Sequence, residues 1–116
     1  MVINNKDYLQ NHQEVIFNMN EDFLFQVLAI VSEIPYGKVA SYKQIAQLSG
    51  HDKNARLVGK VLSHASYYGD YPCHRVVNSV GRLVPGWDEQ RELLMQEGVC
   101  FKANGCVDMK KSKWKD

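Results

Sequence analysis

"SYKQIAQLSGHDKNARLVGKVLSHA", residues 41–65, reads as two short amphipathic helices around a glycine-containing turn. "SYKQ" has capping-box form: Ser41 can accept from the backbone N–H near Gln44, and Gln44 can reach back. Ile45, Ala46 and Leu48 supply the buried side of the first helix, and Gly50 stands where a helix C′ glycine is expected. After "GHD", Asp52 is expected to cap a second helix running to about Ala65. Two helices joined by such a turn match helix-turn-helix form, which is shared with many helix pairs that have no DNA role.

The second helix carries the functional signal. Lys53, Arg56 and Lys60 fall at i, i+3 and i+7, within about 60° on one face, while Ala55, Val58 and Leu62 occupy the opposite one. A basic stripe opposite an apolar stripe suits a recognition helix on phosphates; a merely solvated face is the other reading. The distribution of charge favours the first. Residues 36–86 carry seven basic side chains against two acidic ones, although the whole chain has a net charge of only +1. A basic middle third points to an anionic partner, of which nucleic acid is the commonest.

Outward from this pair, Phe23, Val27, Ile30, Val31 and Ile34 predict an amphipathic helix over residues 21–34, capped by Asn20 and stopped by "PYGK". "VVNSVGRLV" reads as strand, turn and strand, a wing behind the helix pair. Asp88 is expected to cap a last helix through about Gln96, ended by Gly98, with short extended pieces over residues 99–109. Flexible tails are expected at about 1–18 and 110–116, the latter a basic end that could brush a phosphate backbone. The predicted fold is α+β, mainly helical: a winged helix-turn-helix-like single domain over residues 1–116.

With 116 residues and 45% apolar content, the chain has material for one modest core. It has no long apolar run and no signal-peptide pattern, so a cytoplasmic location and no membrane partner are expected. Three cysteines without a CxxC pair fit a reducing compartment. His12, His51, His64 and His74 pair neither with one another nor with a cysteine at ligand spacing, so no metal is expected.

"YPCHRVV", residues 71–77, sets Cys73 against His74 and Arg75. A cysteine reacts as thiolate and needs a lowered pKa or a nearby base. Adjacent side chains in an extended segment point apart, so sequence adjacency does not assure contact. A base also needs an orienting acceptor. Glu97 is the candidate, beside the apolar face formed by Leu93 and Leu94. Spacing alone favours an inert buried thiol and an ordinary last-turn glutamate.

Taken together, "PYGKVASYKQIAQLSG", "NARLVGKVL", "PCHRVV" and "LLMQEGV" resemble, in order, the DNA-binding domain of O6-alkylguanine-DNA alkyltransferases, including the alkyltransferase-like proteins. The resemblance runs from about Phe23 to Val99. It implies that Cys73 accepts the alkyl group from guanine O6 as a thioether, His74 relays the thiol proton and Glu97 stands behind His74. Arg56 would fill the space left by a flipped nucleotide, and Tyr42 would lie near that nucleotide's phosphate. The expected DNA-binding set is Tyr42, Lys53, Arg56, Lys60 and Arg75. No cofactor is implied. The expected partner of this monomer is double-stranded DNA containing O6-alkylguanine, with excision-repair proteins as further partners.

The chain departs from the family pattern at Ala65, where an Asn is usual, and at "LVPGWDEQ", which replaces the usual glycine-rich pocket stretch. These departures resemble the alkyltransferase-like group, which binds alkylated DNA without repairing it and flags it to excision repair; there the acceptor position is typically Trp or Ala. Three readings therefore stand: a single-turnover alkyltransferase, a non-catalytic damage sensor, and a winged-helix transcription regulator with an incidental cysteine.

Overall fold

The computed structural model describes residues 21–115; the expected Asn20 cap and the tail over 1–18 lie outside them. Helix α1, Glu21–Glu33, buries Phe23, Leu24, Val27, Leu28 and Val31, and Ile34 just beyond it is buried too. This face packs on Ile45, Ala46, Val58, Val61 and Val76 to make the main core. Each fully buried aliphatic side chain of this kind contributes about 1.5–3 kcal/mol.

Strand β1, Ala40–Ser41, runs directly into α2, Tyr42–Leu48. Ser41 Oγ accepts the Gln44 N–H at 3.0 Å, one half of the expected capping box; the Gln44 side chain does not reach back but donates to Trp114 O at 2.8 Å. At the other end Gly50 N–H donates to Gln47 O and His51 N–H to Ala46 O, a Schellman closure that turns the chain toward the next helix. That helix, α3, spans Ala55–Ser63, so it begins later and ends earlier than the sequence predicted. Asp52 does not cap it. The Asn54 N–H donates to His51 O at 2.9 Å, closing a turn that holds residues 52–53 outside the helical register. Arg56 and Lys60 remain exposed on α3, one turn apart, while Lys53 sits in the preceding turn. A 3₁₀ turn at Ala65–Tyr67 follows, then a second at Cys73–Arg75.

The expected hairpin is not formed. Strand β2, Val76–Val77, pairs in parallel with β1, in the register Ala40 to Val76 and Ser41 to Val77. Asn78 Oδ1 accepts the N–H groups of Val80 and Arg82, which makes the predicted turn. The outgoing chain then finds other partners: Gly81 O accepts from Val107 N–H at 2.8 Å and Val84 N–H donates to Gln90. Gly81 has φ +86°, and a Cβ there would lie 2.3 Å from Val107 O, so only glycine allows this close approach. A Phe101–Val107 antiparallel bridge closes the segment beyond. The helical α+β, winged-helix-like class stands, but the predicted wing hairpin is replaced by the parallel β1–β2 pair and the Asn78 turn.

Helix α4, Glu89–Gln96, ends in another Schellman closure, Gly98 N–H to Met95 O and Val99 N–H to Leu94 O, which leaves Glu97 as its C-cap. Asp88 occupies the N-cap without a side-chain bond. Leu94, Val99 and Val107 join Val39 and Val77 in a second, smaller core.

The stretch from residue 110 is not a free tail up to Trp114. Helix α5 spans Met109–Ser112 with Asp108 as its cap, and Val39 bridges Lys113 in parallel. Val39 N–H donates to Ser112 O, Trp114 N–H to Val39 O, and Gln44 Nε2 to Trp114 O at 2.8 Å. Trp114 packs on the main core, which supplies the apolar contact that the basic composition conceals.

Candidate active site and nucleic-acid interface

Glu97 organises the centre. His74 Nε2 lies 2.6 Å from Glu97 Oε2. Arg75 forks onto the same carboxylate, Nε to Oε1 at 2.9 Å and Nη2 to Oε2 at 3.0 Å, and Gly37 N–H donates to Oε1 at 2.9 Å. Burial alone would raise this carboxyl group. The bonds from Arg75, Gly37 and His74, with the Arg75 charge, outweigh that and hold it down at about 2. An ionised carboxylate only accepts, so His74 Nε2 carries a proton, and in the neutral ring Nδ1 is left as the acceptor. The position of Glu97 follows from the helix end: Gly98 stops α4 and presents the C-cap side chain to the Cys73–Arg75 turn.

Arg75, expected among the DNA contacts, has its donors committed inward. Besides Glu97 it donates Nη1 to Ile34 O at 2.9 Å, and its guanidinium lies 5.6 Å from the centre of the Tyr36 ring. The planar fork matches a carboxylate, which explains the geometry.

Cys73 is partly buried at the start of its 3₁₀ turn. Burial pushes its thiol up, against a smaller lowering by its own backbone. Among the described residues no hydrogen bond joins its sulfur to the His74 ring. Tyr42, the first residue of α2, faces it; burial and then the neighbouring Cys73 raise the phenol. Cys73 stands at the junction of two hollows. A groove of about 520 Å³ runs over Cys73 and His74 past Ala65 and Tyr71. A cavity of about 150 Å³ reaches toward Tyr42, Gly59 and Val84. Leu62, Cys73 and Trp87 line both. A neighbouring groove of about 420 Å³ is lined by Tyr42, Lys43, Arg56, Gly59, Asn78 and Ser79. Tyr42 and Arg56 therefore share one surface beside the cysteine, whereas Lys53 and Lys60 line none of these hollows.

Gln90 was not legible as a site residue. Fully buried, it donates Nε2 to His74 O and Val76 O and accepts Val84 N–H at 2.7 Å, tying the Cys73 turn to the wall that carries Trp87. Its sequence signal is a polar side chain four residues before Leu94, on the buried face of α4. Among the described residues no cluster of His, Cys, Asp and Glu could hold a metal ion.

The family model described as "6-O-methylguanine DNA methyltransferase, DNA binding domain" matches residues 22–99. The chain belongs to this alkyltransferase family. A Vibrio parahaemolyticus relative named DNA base-flipping protein is 36% identical over 97 residues, 81% of this chain and 97% of that protein. A Saccharolobus islandicus methylated-DNA–protein-cysteine methyltransferase is 40% identical over 91 residues, 77% of this chain and 59% of that one. The Schizosaccharomyces pombe alkyltransferase-like protein in complex with damaged DNA containing O6-carboxymethylguanine is similar in structure, with a TM-score of 0.74 at 32% identity, covering 84% of this chain and 98% of that one. Alkyltransferase-family relatives of this domain thus include both named transferases and proteins named for base flipping.

Proposed function

We propose that this protein binds O6-alkylguanine in duplex DNA, turns the nucleotide out of the helix, and takes the alkyl group onto Cys73. The observation that carries this reading is the Arg75–Glu97–His74 chain of bonds ending one residue from the cysteine. A base inside a duplex is out of reach of a protein thiol, so extrusion is required, at a cost of a few kcal/mol. Arg56, on the surface it shares with Tyr42, fills the vacated space, as inserted side chains do in minor-groove binders. Lys53 and Lys60 add phosphate attraction.

In the transfer, the Cys73 sulfur bonds the alkyl carbon as the carbon–O6 bond breaks. The released electron pair stays with guanine, whose ring takes up the proton that left the thiol, returned from His74 through water, so none is gained or lost overall. The thiol proton passes to His74 Nδ1 through a bridging water, with Glu97 holding the ring and stabilising its charged form. Arg75 keeps Glu97 ionised. The thioether is stable, so each molecule acts once.

A second reading is favoured by the raised thiol and by the lack of a direct Cys73–His74 bond among the described residues: the same site binds the lesion without transfer and recruits excision-repair proteins. Mass analysis of the Cys73 peptide after exposure to duplex DNA containing O6-methylguanine separates the two.

A further inference from the structure

The docked C-terminal segment builds a feature that shares no lining residue with the cavities around Cys73. A cleft of about 350 Å³ is lined by Lys38, Lys110, Lys111, Lys113, Lys115 and Trp114, with Pro35 beside them. Among the described residues none of these five lysines lies within ion-pair distance of a carboxylate. The backbone beneath them is fixed by the Val39–Lys113 bridge, the Trp114–Val39 bond and the Gln44–Trp114 bond. Lys38 Nζ also donates to Lys111 O at 3.2 Å, which closes the cleft from the α1–β1 turn. Like charges gathered on an ordered strap repel one another, and an anion relieves that repulsion.

We propose that this cleft is a second DNA-backbone site, holding phosphates outside the segment engaged at Cys73. The occupant is chosen by chemistry. Lysines are point charges that attract phosphates without reading bases, and the partly buried Trp114 ring adds a flat apolar wall for sugar or base. A polyanion with regularly spaced charges satisfies five lysines better than a single small anion, and the chain belongs to a DNA-binding family. The cleft would raise affinity for every sequence alike and lengthen the footprint. The proposal rests on that family membership and is independent of transfer to Cys73.

The full chain has two tryptophans, Trp87 at the candidate active site and Trp114 in the cleft, so indole N–H resonances report on the two places separately. The probe is an unmodified duplex, added until fluorescence anisotropy shows saturation, with Trp87→Phe used to assign the Trp114 signal. The Trp114 indole should shift. In the variant Lys110→Gln/Lys113→Gln/Lys115→Gln that shift should vanish, and the slope of log affinity against log salt should fall in magnitude by about 2–3, at about 0.9 for each phosphate no longer neutralised. The ratio of affinities for alkylated and unmodified duplex should stay unchanged. A Trp114 signal that stays still at saturation in the native protein overturns the proposal, as does an unchanged salt slope in the variant. A shift produced by a glutamate-rich peptide and not by duplex also overturns it, assigning the cleft to an acidic protein. Failure of the native protein to prefer alkylated duplex refutes lesion recognition instead, and leaves the cleft measurements readable.

Discussion

His74 Nε2 lies 2.6 Å from Glu97 Oε2, so the ring that follows Cys73 in sequence is oriented by the residue capping a helix 23 positions further on. Because Arg75 and Gly37 hold the same carboxylate, the His74 tautomer is set by a network rather than by one bond. Removing the charge but keeping the shape should expose that role. Glu97→Gln is expected to lower the single-turnover rate by about 10²-fold, within the range for general acid–base assistance, while lesion affinity changes little. Quench-flow methylation beside equilibrium binding checks both.

The same carboxylate makes stability depend on acid. Its pKa is depressed in the folded state, to about 2 from the ordinary value of 4.5. Its contribution is therefore present above the ordinary value and is lost as the pH falls toward 2. Allowing for solvent screening, native protein should lose on the order of 1–2 kcal/mol across that window through this group. The Glu97→Gln variant should show a correspondingly flatter dependence, read from urea midpoints between about pH 5 and 2.5.

Gln90 and Gly81 are structural supports with large expected costs. Gln90→Leu leaves the buried Val76 O and the part-buried His74 O and Val84 N–H without their partner, and should cost about 2–4 kcal/mol. Gly81→Ala forces a Cβ against Val107 O and should cost at least about 2 kcal/mol. Thermal denaturation of each checks this; a change below about 0.5 kcal/mol contradicts the packing described.

These supports mark the limit of what the sequence makes legible. Helix α1, the Ser41 cap and the Gly50 and Gly98 stops were readable because each is local chemistry. The parallel pairing of Val76–Val77 with Ala40–Ser41 was not: it depends on a partner 36 residues away, and an Asn-to-Gly turn flanked by valines carries the same local signal as a hairpin. The start of α3 was missed because the His51–Asn54 turn competes with capping by Asp52. The C-terminal strap was hidden by five charged residues, its anchor being the single Trp114. At the site, family resemblance gave "PCHRVV" and Glu97 their roles, whereas spacing, which already singled out Glu97 as a candidate acceptor, favoured an inert reading of both. Gln90 required the fold.

Arg56 tests lesion discrimination separately from chemistry. Arg56→Ala should reduce the preference for O6-methylguanine duplex over unmodified duplex by about tenfold, a loss of about 1.4 kcal/mol. Lys60→Ala should weaken both equally. Competition binding at fixed salt distinguishes these outcomes.

The most direct test of the central claim is the fate of the Cys73 sulfur. Equimolar protein and duplex containing one O6-methylguanine are incubated, digested and analysed by mass spectrometry, with Cys73→Ala as the control that binds without reacting. The account predicts one methyl group on the Cys73 peptide, approaching one per molecule, and none elsewhere. Tight, lesion-selective binding with an unmodified Cys73 would contradict it and leave damage sensing as the function.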